Sequence, residues 1–194
     1  LMITNLAVSE QCYASFLSQN LVNLKIIDLW GSKDLIEIPD LSKADKLERV
    51  NLSFCLLQLH IHSKSLQRLY ATSCSSLKEL SVTSEKITQL NLADTAICEL
   101  PSSIWHKRKL AFLFLNGCKN LEFVGNEIVH LLSLERLDLS LTNIERLPAL
   151  PPSLKYLMAE GCTSLETDFT QQLLLQHMLH SRIPYLKKHL NIPV

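Results

Sequence analysis

Glycine is scarce in this chain. Only four of its 194 residues are glycine, and none opens a G-x-x-x-x-G-K-[ST] or G-x-G-x-x-G loop, so no phosphate-cradling turn is expected. Paired cysteines are missing as well. Cys12, Cys55, Cys74, Cys98, Cys118 and Cys162 lie far apart with no C-x-x-C among them. Small secreted folds crowd their cysteines, so this spacing fits a reducing compartment better. Nor is there net charge: nineteen basic and nineteen acidic residues cancel. That argues against a nucleic-acid or anionic-membrane surface dominated by charge. The longest purely apolar run, LAFLFL at 110–115, is too short to span a bilayer. No charged-then-apolar leader opens the chain, which starts at Leu1. A non-secreted piece of something larger is therefore expected.

What is present is apolar residues, 47% of the chain, enough for a sizeable core, and they recur. The pattern L-x-x-L-x-L-x-x-(small) fits LKIIDLWGS at 24–32, LERVNLSFC at 47–55, LQRLYATSC at 66–74 and ITQLNLADT at 87–95. It fits again at LAFLFLNGC (110–118), LERLDLSLT (134–142) and LKYLMAEGC (154–162). The starts are 23, 19, 21, 23, 24 and 20 residues apart, which lies in the range of leucine-rich repeats. Each L-x-L predicts a short strand stacked in parallel on the next at about 4.8 Å. A bulkier outer arc bends the stack so that the sheet lines the inside. The fold class is therefore α/β: a leucine-rich repeat solenoid with a curved parallel sheet on the concave face and short helices and loops on the convex one. It has about seven full repeats and a partial N-terminal one.

The last slot of each repeat holds Ser32, Cys55, Cys74, Thr95, Cys118, Thr142 and Cys162. Every occupant is small and carries a hydroxyl or thiol. Where the chain leaves a strand and turns, backbone groups point inward without ladder partners, and such a side chain can satisfy one of them. These residues read as a structural ladder in the turns, and no reactive thiol is assigned.

After the slot the next apolar residue is three on behind Cys (Leu77, Leu121, Leu165) and two on behind Thr (Ile97, Ile144). Pro39, Pro101 and Pro148 then mark the outer arc, where a residue without a backbone donor costs nothing in the sheet. LPSSIWHKRK at 100–109 allows one helical turn with Ile104 as inward anchor. LMITNL at 1–6 reads as the strand end of a repeat, and SEQCYASFLSQNL at 9–21 as its outer arc with Phe16 and Leu17 facing in. Asp168 three before Gln171 suggests a helix start, with Leu173, Leu174 and Met178 covering the last coil. The expected organisation is a partial repeat at 1–20, the repeat domain at 21–167, and a capping helix with a linker to a further domain at 168–194.

The inner sheet displays three rows of side chains. The central row is Asp28, Asn51, Tyr70, Asn91, Phe114, Asp138 and Met158. Two residues earlier stand Ile26, Arg49, Arg68, Gln89, Phe112, Arg136 and Tyr156, and two later Trp30, Ser53, Thr72, Ala93, Asn116, Ser140 and Glu160. Aromatics and arginines are the side chains most enriched at binding hot spots. Trp30, Arg49, Arg68, Tyr70, Phe112, Phe114, Arg136 and Tyr156 are therefore the candidate partner-binding residues. The alternative is that Glu48 and Glu135 pair with the adjacent arginines on a solvated sheet while the aromatics fill gaps between strands.

Other residues lead nowhere. His60 with His62, and His177 with His180, each lack a third ligand, so no metal is assigned. Asn51-Leu52-Ser53 matches a glycosylation sequon but falls in a predicted strand. Lys187, Lys188 and His189 are too few to specify a ligand. No Ser/His/Asp or Cys/His constellation can be assembled, so no catalytic residue is named and this stretch is expected not to be an enzyme.

The spelling of the repeats is more specific than their period. The segments at 20–55 and 90–122, and LPALPPSLKYLMAEGCTSLET at 147–167, resemble the leucine-rich repeats of plant intracellular immune receptors. They are most similar to the class with an N-terminal TIR domain and a central nucleotide-binding domain (TIR-NBS-LRR disease resistance proteins). The alternation of LxxT-x-I-xxLP with LxxC-xxL carries the resemblance over about residues 20–167. It implies a protein partner: a pathogen effector, a guarded host protein or the receptor's own nucleotide-binding domain, with no nucleic acid or membrane. It implies a sensing and autoinhibitory role in defence signalling, in a protein that is cytoplasmic and also nuclear. ADP, ATP and NAD are implied only for domains outside this chain, and no cofactor is expected within it. Repeat two departs from the pattern, since it is short and ends LLQLHIHSK without the LxxLP close. An alternative is the substrate-binding repeat of a bacterial ubiquitin ligase effector, which would keep a near-constant repeat length and Asn in the turn slot. An extracellular receptor ectodomain would spell LxGxIP, which is absent.

Overall fold

The computed structural model describes residues 2–4, 21–33, 35, 38, 40–56 and 58–166. Eight three-residue strands form one all-parallel sheet. In chain order the strands of the molecule are β1 (Met2–Thr4), β2 (Ile26–Asp28), β3 (Arg49–Asn51), β4 (Leu59–Ile61) and β5 (Arg68–Tyr70). They continue with β6 (Leu80–Val82), β7 (Gln89–Asn91), β8 (Phe112–Phe114), β9 (Arg136–Asp138) and β10 (Tyr156–Met158). The main sheet runs β1-β2-β3-β5-β7-β8-β9-β10, while β4 and β6 pair separately. This is a leucine-rich repeat solenoid in which each coil adds one strand. β1 supplies the partial repeat, pairing Met2–Thr4 with Ile26–Asp28.

The middle residue of each strand points inward, because alternate side chains of a strand face opposite sides. Ile27, Val50, Leu69, Leu90, Leu113, Leu137 and Leu157 therefore stack in register as one apolar column, all buried. The repeat-opening Leu24, Leu47, Leu66, Ile87, Leu110, Leu134 and Leu154 form a second buried column. Each such residue contributes about 1.5–3 kcal/mol by leaving water.

The outer arc combines short 3-10 turns with extended stretches, and coil length explains which coil has which. The coils starting at Ile87 and Leu110, with 23 and 24 residues, fit 3-10 turns at Ser102–His106 and Asn126–His130. Ile104, in the first of these turns, is fully buried as the inward anchor. The coils starting at Leu47 and Leu66 have 19 and 21 residues. They cross the same arc as strands β4 and β6, since a strand covers about 3.3 Å per residue against about 2.0 Å in a 3-10 helix. This accounts for the odd ending of repeat two. His60 and His62 fall on that arc, both exposed. No helix among the described residues is long and apolar enough to cross a membrane. The expected arc at 9–20, the capping helix after Thr167, His177, His180 and Lys187–His189 lie outside the described residues.

One conformational feature recurs in all seven full coils without showing in the composition. The residue just before the ladder slot has φ between 55° and 74°: Gly31, Phe54, Ser73, Asp94, Gly117, Leu141 and Gly161. Glycine adopts this left-handed conformation without a Cβ penalty, and three of the chain's four glycines occupy it.

Candidate sheet-face recognition surface

The turn slot sits directly behind each strand, so its geometry sets where the displayed rows end. Cys55 Sγ donates to the Leu29 carbonyl at 3.2 Å, Cys74 to Leu52 at 3.0 Å, Cys118 to Leu92 at 3.1 Å and Cys162 to Leu139 at 3.0 Å. All four acceptors belong to the preceding coil. Thr95 and Thr142 instead donate to the carbonyl three residues back in their own coil, Leu92 and Leu139, at 2.8 and 2.6 Å. In the Cys55, Cys74 and Cys118 coils the carbonyl three residues back already accepts the slot residue's own backbone N–H, and the thiol turns to the neighbouring coil. The Ser32 backbone N–H closes its turn on Leu29 O at 3.1 Å. Burial raises the Cys55 thiol to about 11, helped by the neighbouring Cys74, and burial likewise raises Cys74 and Cys118. At neutral pH these are S–H donors. Cys98, outside the ladder, is exposed.

Strand register brings most of the candidate binding residues into two straight rows. Arg49 stands opposite Arg68, Arg68 opposite Gln89, Gln89 opposite Phe112, Phe112 opposite Arg136 and Arg136 opposite Tyr156. The central row runs Asn51, Tyr70, Asn91, Phe114, Asp138, Met158. Phe112 and Tyr156 are 38% and 50% exposed, against full burial of the column between the rows. Tyr70 donates its hydroxyl to Gln89 Oε1 at 3.2 Å, and the Arg136 guanidinium lies 5.7 Å from the Phe114 ring centre. Trp30 lies beyond the end of β2, 54% exposed, in edge-to-face contact with Phe54 at 5.4 Å. It belongs to the rim of the surface and not to the two rows.

The arginines are not paired with the flanking glutamates. Glu48 pairs with Lys25 at 3.4 Å and Glu135 with Lys155 at 2.9 Å. Among the described residues Arg49 and Arg68 have no ion pair.

The central row holds a distinction that sequence reading missed. Asp28, Asn51, Asn91 and Asp138 each accept, through Oδ1, the backbone N–H two residues on, at 3.3, 3.2, 3.1 and 3.0 Å. These Asx turns close the strand ends. The signal was available, because Asp or Asn at a strand's last residue is the residue type that makes this bond. Tyr70, Phe114 and Met158 occupy the same row without that duty. Asn51, the sequon asparagine, is half-buried, and its amide nitrogen donates to Asp28 Oδ1 at 3.0 Å.

Away from the sheet, a cleft of about 340 Å³ lies between the two 3-10 turns, lined by Leu100, Trp105, Phe123 and the carboxylates of Glu99 and Glu127. Among the described residues no three His, Cys, Asp or Glu side chains come together as a metal site.

No family model matches the chain. Disease resistance protein RML1A of Arabidopsis thaliana is 36% identical over 157 residues, covering 66% of this chain. Disease resistance protein RPS4B of the same plant is 33% identical over 168 residues, covering 84% of it. The chain is homologous to plant disease resistance proteins. The relatives belong to the TIR-NBS-LRR class, and the chain spans only 15% and 14% of the length of these two. A solved leucine-rich repeat domain, that of the type III effector XCV3220 (XopL), overlays with a TM-score of 0.45 at 23% identity. That overlay covers 81% of this chain and 75% of the other, and it is too loose to argue from.

Proposed function

We propose that this chain is the protein-recognition surface of an intracellular plant immune receptor, sensing an effector or a guarded host protein and helping to hold the receptor inactive until then. The observation that carries this reading is the pair of in-register rows above a fully buried apolar column, with Arg68, Phe112, Arg136 and Tyr156 exposed and Arg49, Tyr70 and Phe114 half-buried beside them. Homology to disease resistance proteins supplies the biological setting, and leucine-rich repeats generally present such a face to proteins. On this reading nucleotide and NAD chemistry belong to other parts of the receptor, and the protein works in the cytoplasm and also in the nucleus.

The test is a triple alanine replacement of Arg68, Tyr70 and Phe114 in the intact receptor. Loss of effector or host-protein capture, loss of resting-state restraint, or both, is expected. If capture and restraint are both unchanged, the sheet face is not the recognition surface.

A further inference from the structure

Arg49 and Arg68 stand directly opposite one another on β3 and β5. Like charges so placed destabilise a sheet, because opposed Cβ atoms are only about 5 Å apart. An acid between them would remove that cost, but the nearby acids are otherwise engaged. Glu48 pairs with Lys25. Asp28, on the adjacent strand, accepts from the Asn51 amide and the Trp30 N–H. Arg136, further along the same row, differs: it lies against Phe114 and donates to Met158 Sδ at 3.7 Å.

We infer that Arg49 and Arg68 form a seat for one anionic side chain, carried on an extended segment of a protein partner. This deepens the recognition reading above and rests on it. Two guanidinium forks can converge on the oxygens of one carboxylate or phosphate, the arrangement in which arginine outperforms lysine. The sheet also fixes a register. Only β7 separates β5 from β8, and strands lie about 4.8 Å apart. Phe112 is then about 12 Å along the row from the midpoint of the two arginines. An extended peptide advances about 3.4 Å per residue. A segment with an acidic residue and an apolar one three or four positions apart therefore reaches both the arginine seat and the Phe112 ring.

The test uses fluorescein-labelled peptides titrated against the chain at low ionic strength. One carries Glu and Leu at that spacing, a twin replaces Glu by Gln, and a third replaces Glu by phosphoserine. The Glu peptide is expected to bind about tenfold more tightly than its Gln twin. Arg49→Gln or Arg68→Gln should erase that preference. Tighter binding of the phosphoserine peptide assigns the seat to phosphate, and weaker binding assigns it to carboxylate; both support the seat. Equal affinity of Glu and Gln peptides, including no binding by either, overturns it, as does an acid preference that survives both arginine replacements. Phe112→Ala separates this inference from the broader one. If binding ignores the arginines but falls with Phe112→Ala, the seat is wrong and the recognition face stands; the recognition reading itself falls only with the capture and restraint test on the intact receptor. Melting temperature gives a second measurement. Arg68→Gln should raise it by about 1–2 °C as the repulsion is relieved, and a lowered value overturns the unpartnered pair.

Discussion

Gly31, Gly117 and Gly161 have nearly the same left-handed backbone, with φ of 72°, 74° and 71°, but different surroundings. Alanine at each position therefore separates backbone strain from contact between coils. A Cβ at residue 31 would meet nothing within 4 Å. Its cost is the left-handed conformation, about 1–2 kcal/mol, less about 0.4–1 kcal/mol because alanine narrows the unfolded ensemble. A net loss of about 1 kcal/mol is expected for Gly31→Ala. At residue 117 the new Cβ would overlap the Asp94 carboxylate, and at residue 161 it would meet Leu141 Cδ2 at 2.6 Å. Both obstacles are side-chain ends, so they can turn aside, at about 1 kcal/mol for leaving a preferred rotamer. Gly117→Ala and Gly161→Ala should thus each cost about 2 kcal/mol. Urea denaturation of the three variants measures this directly. The double variant Asp94→Ala with Gly117→Ala should lose the excess, returning close to the Gly31→Ala cost beyond that of Asp94→Ala alone. Equal losses at all three glycines, or an excess at residue 117 that persists without the Asp94 carboxylate, would refute the claim that these positions meet across coils.

The thiol ladder gives two further expectations. Cys118→Ala removes the donor to Leu92 and opens a small void, so it should cost about 1–3 kcal/mol in denaturant titrations, and Cys118→Ser less. The Cys55 thiol is raised in the folded chain, so folding favours its protonated form. Its contribution is complete below pH 9 and is lost as pH climbs towards about 11, roughly 2–3 kcal/mol. Cys55→Ala should flatten the alkaline loss of stability, and an unchanged alkaline limb would contradict it. Lys107 is buried with its ammonium 2.7 Å from exposed Glu85. Glu85→Ala should therefore destabilise by about 1–2 kcal/mol while Lys107→Met is near neutral, as thermal melts can show.

The sequence made the repeats legible because the inward positions repeat one physical demand, an apolar residue filling a fixed volume. Leu47, Leu66 and Leu110 mark their coils for that reason. The paired rows followed from the alternation of strand side chains, and Arg49 opposite Arg68 could be written down before any coordinates. Other features were hidden because several residue types can satisfy them. Left-handed backbone at Phe54, Ser73, Asp94 and Leu141 leaves no mark in composition, since the coil closure imposes it on whatever residue stands there. The β4–β6 ribbon depends on how many residues remain to cross the arc, a count that local propensity does not contain. The partners of Glu48 and Glu135 turned on side-chain direction, which sequence adjacency misjudged.

The central row combines two kinds of position with unequal freedom to change. Where Asp28, Asn51, Asn91 and Asp138 tie down the chain two residues on, an exchange for any larger or apolar residue unpicks a bend. Where Tyr70, Phe114 and Met158 stand, the side chain has no such bond to make, and it can drift without threatening the fold. A lineage pressed to follow a changing partner can thus rewrite every second or third coil of its contact surface while inheriting the rest intact.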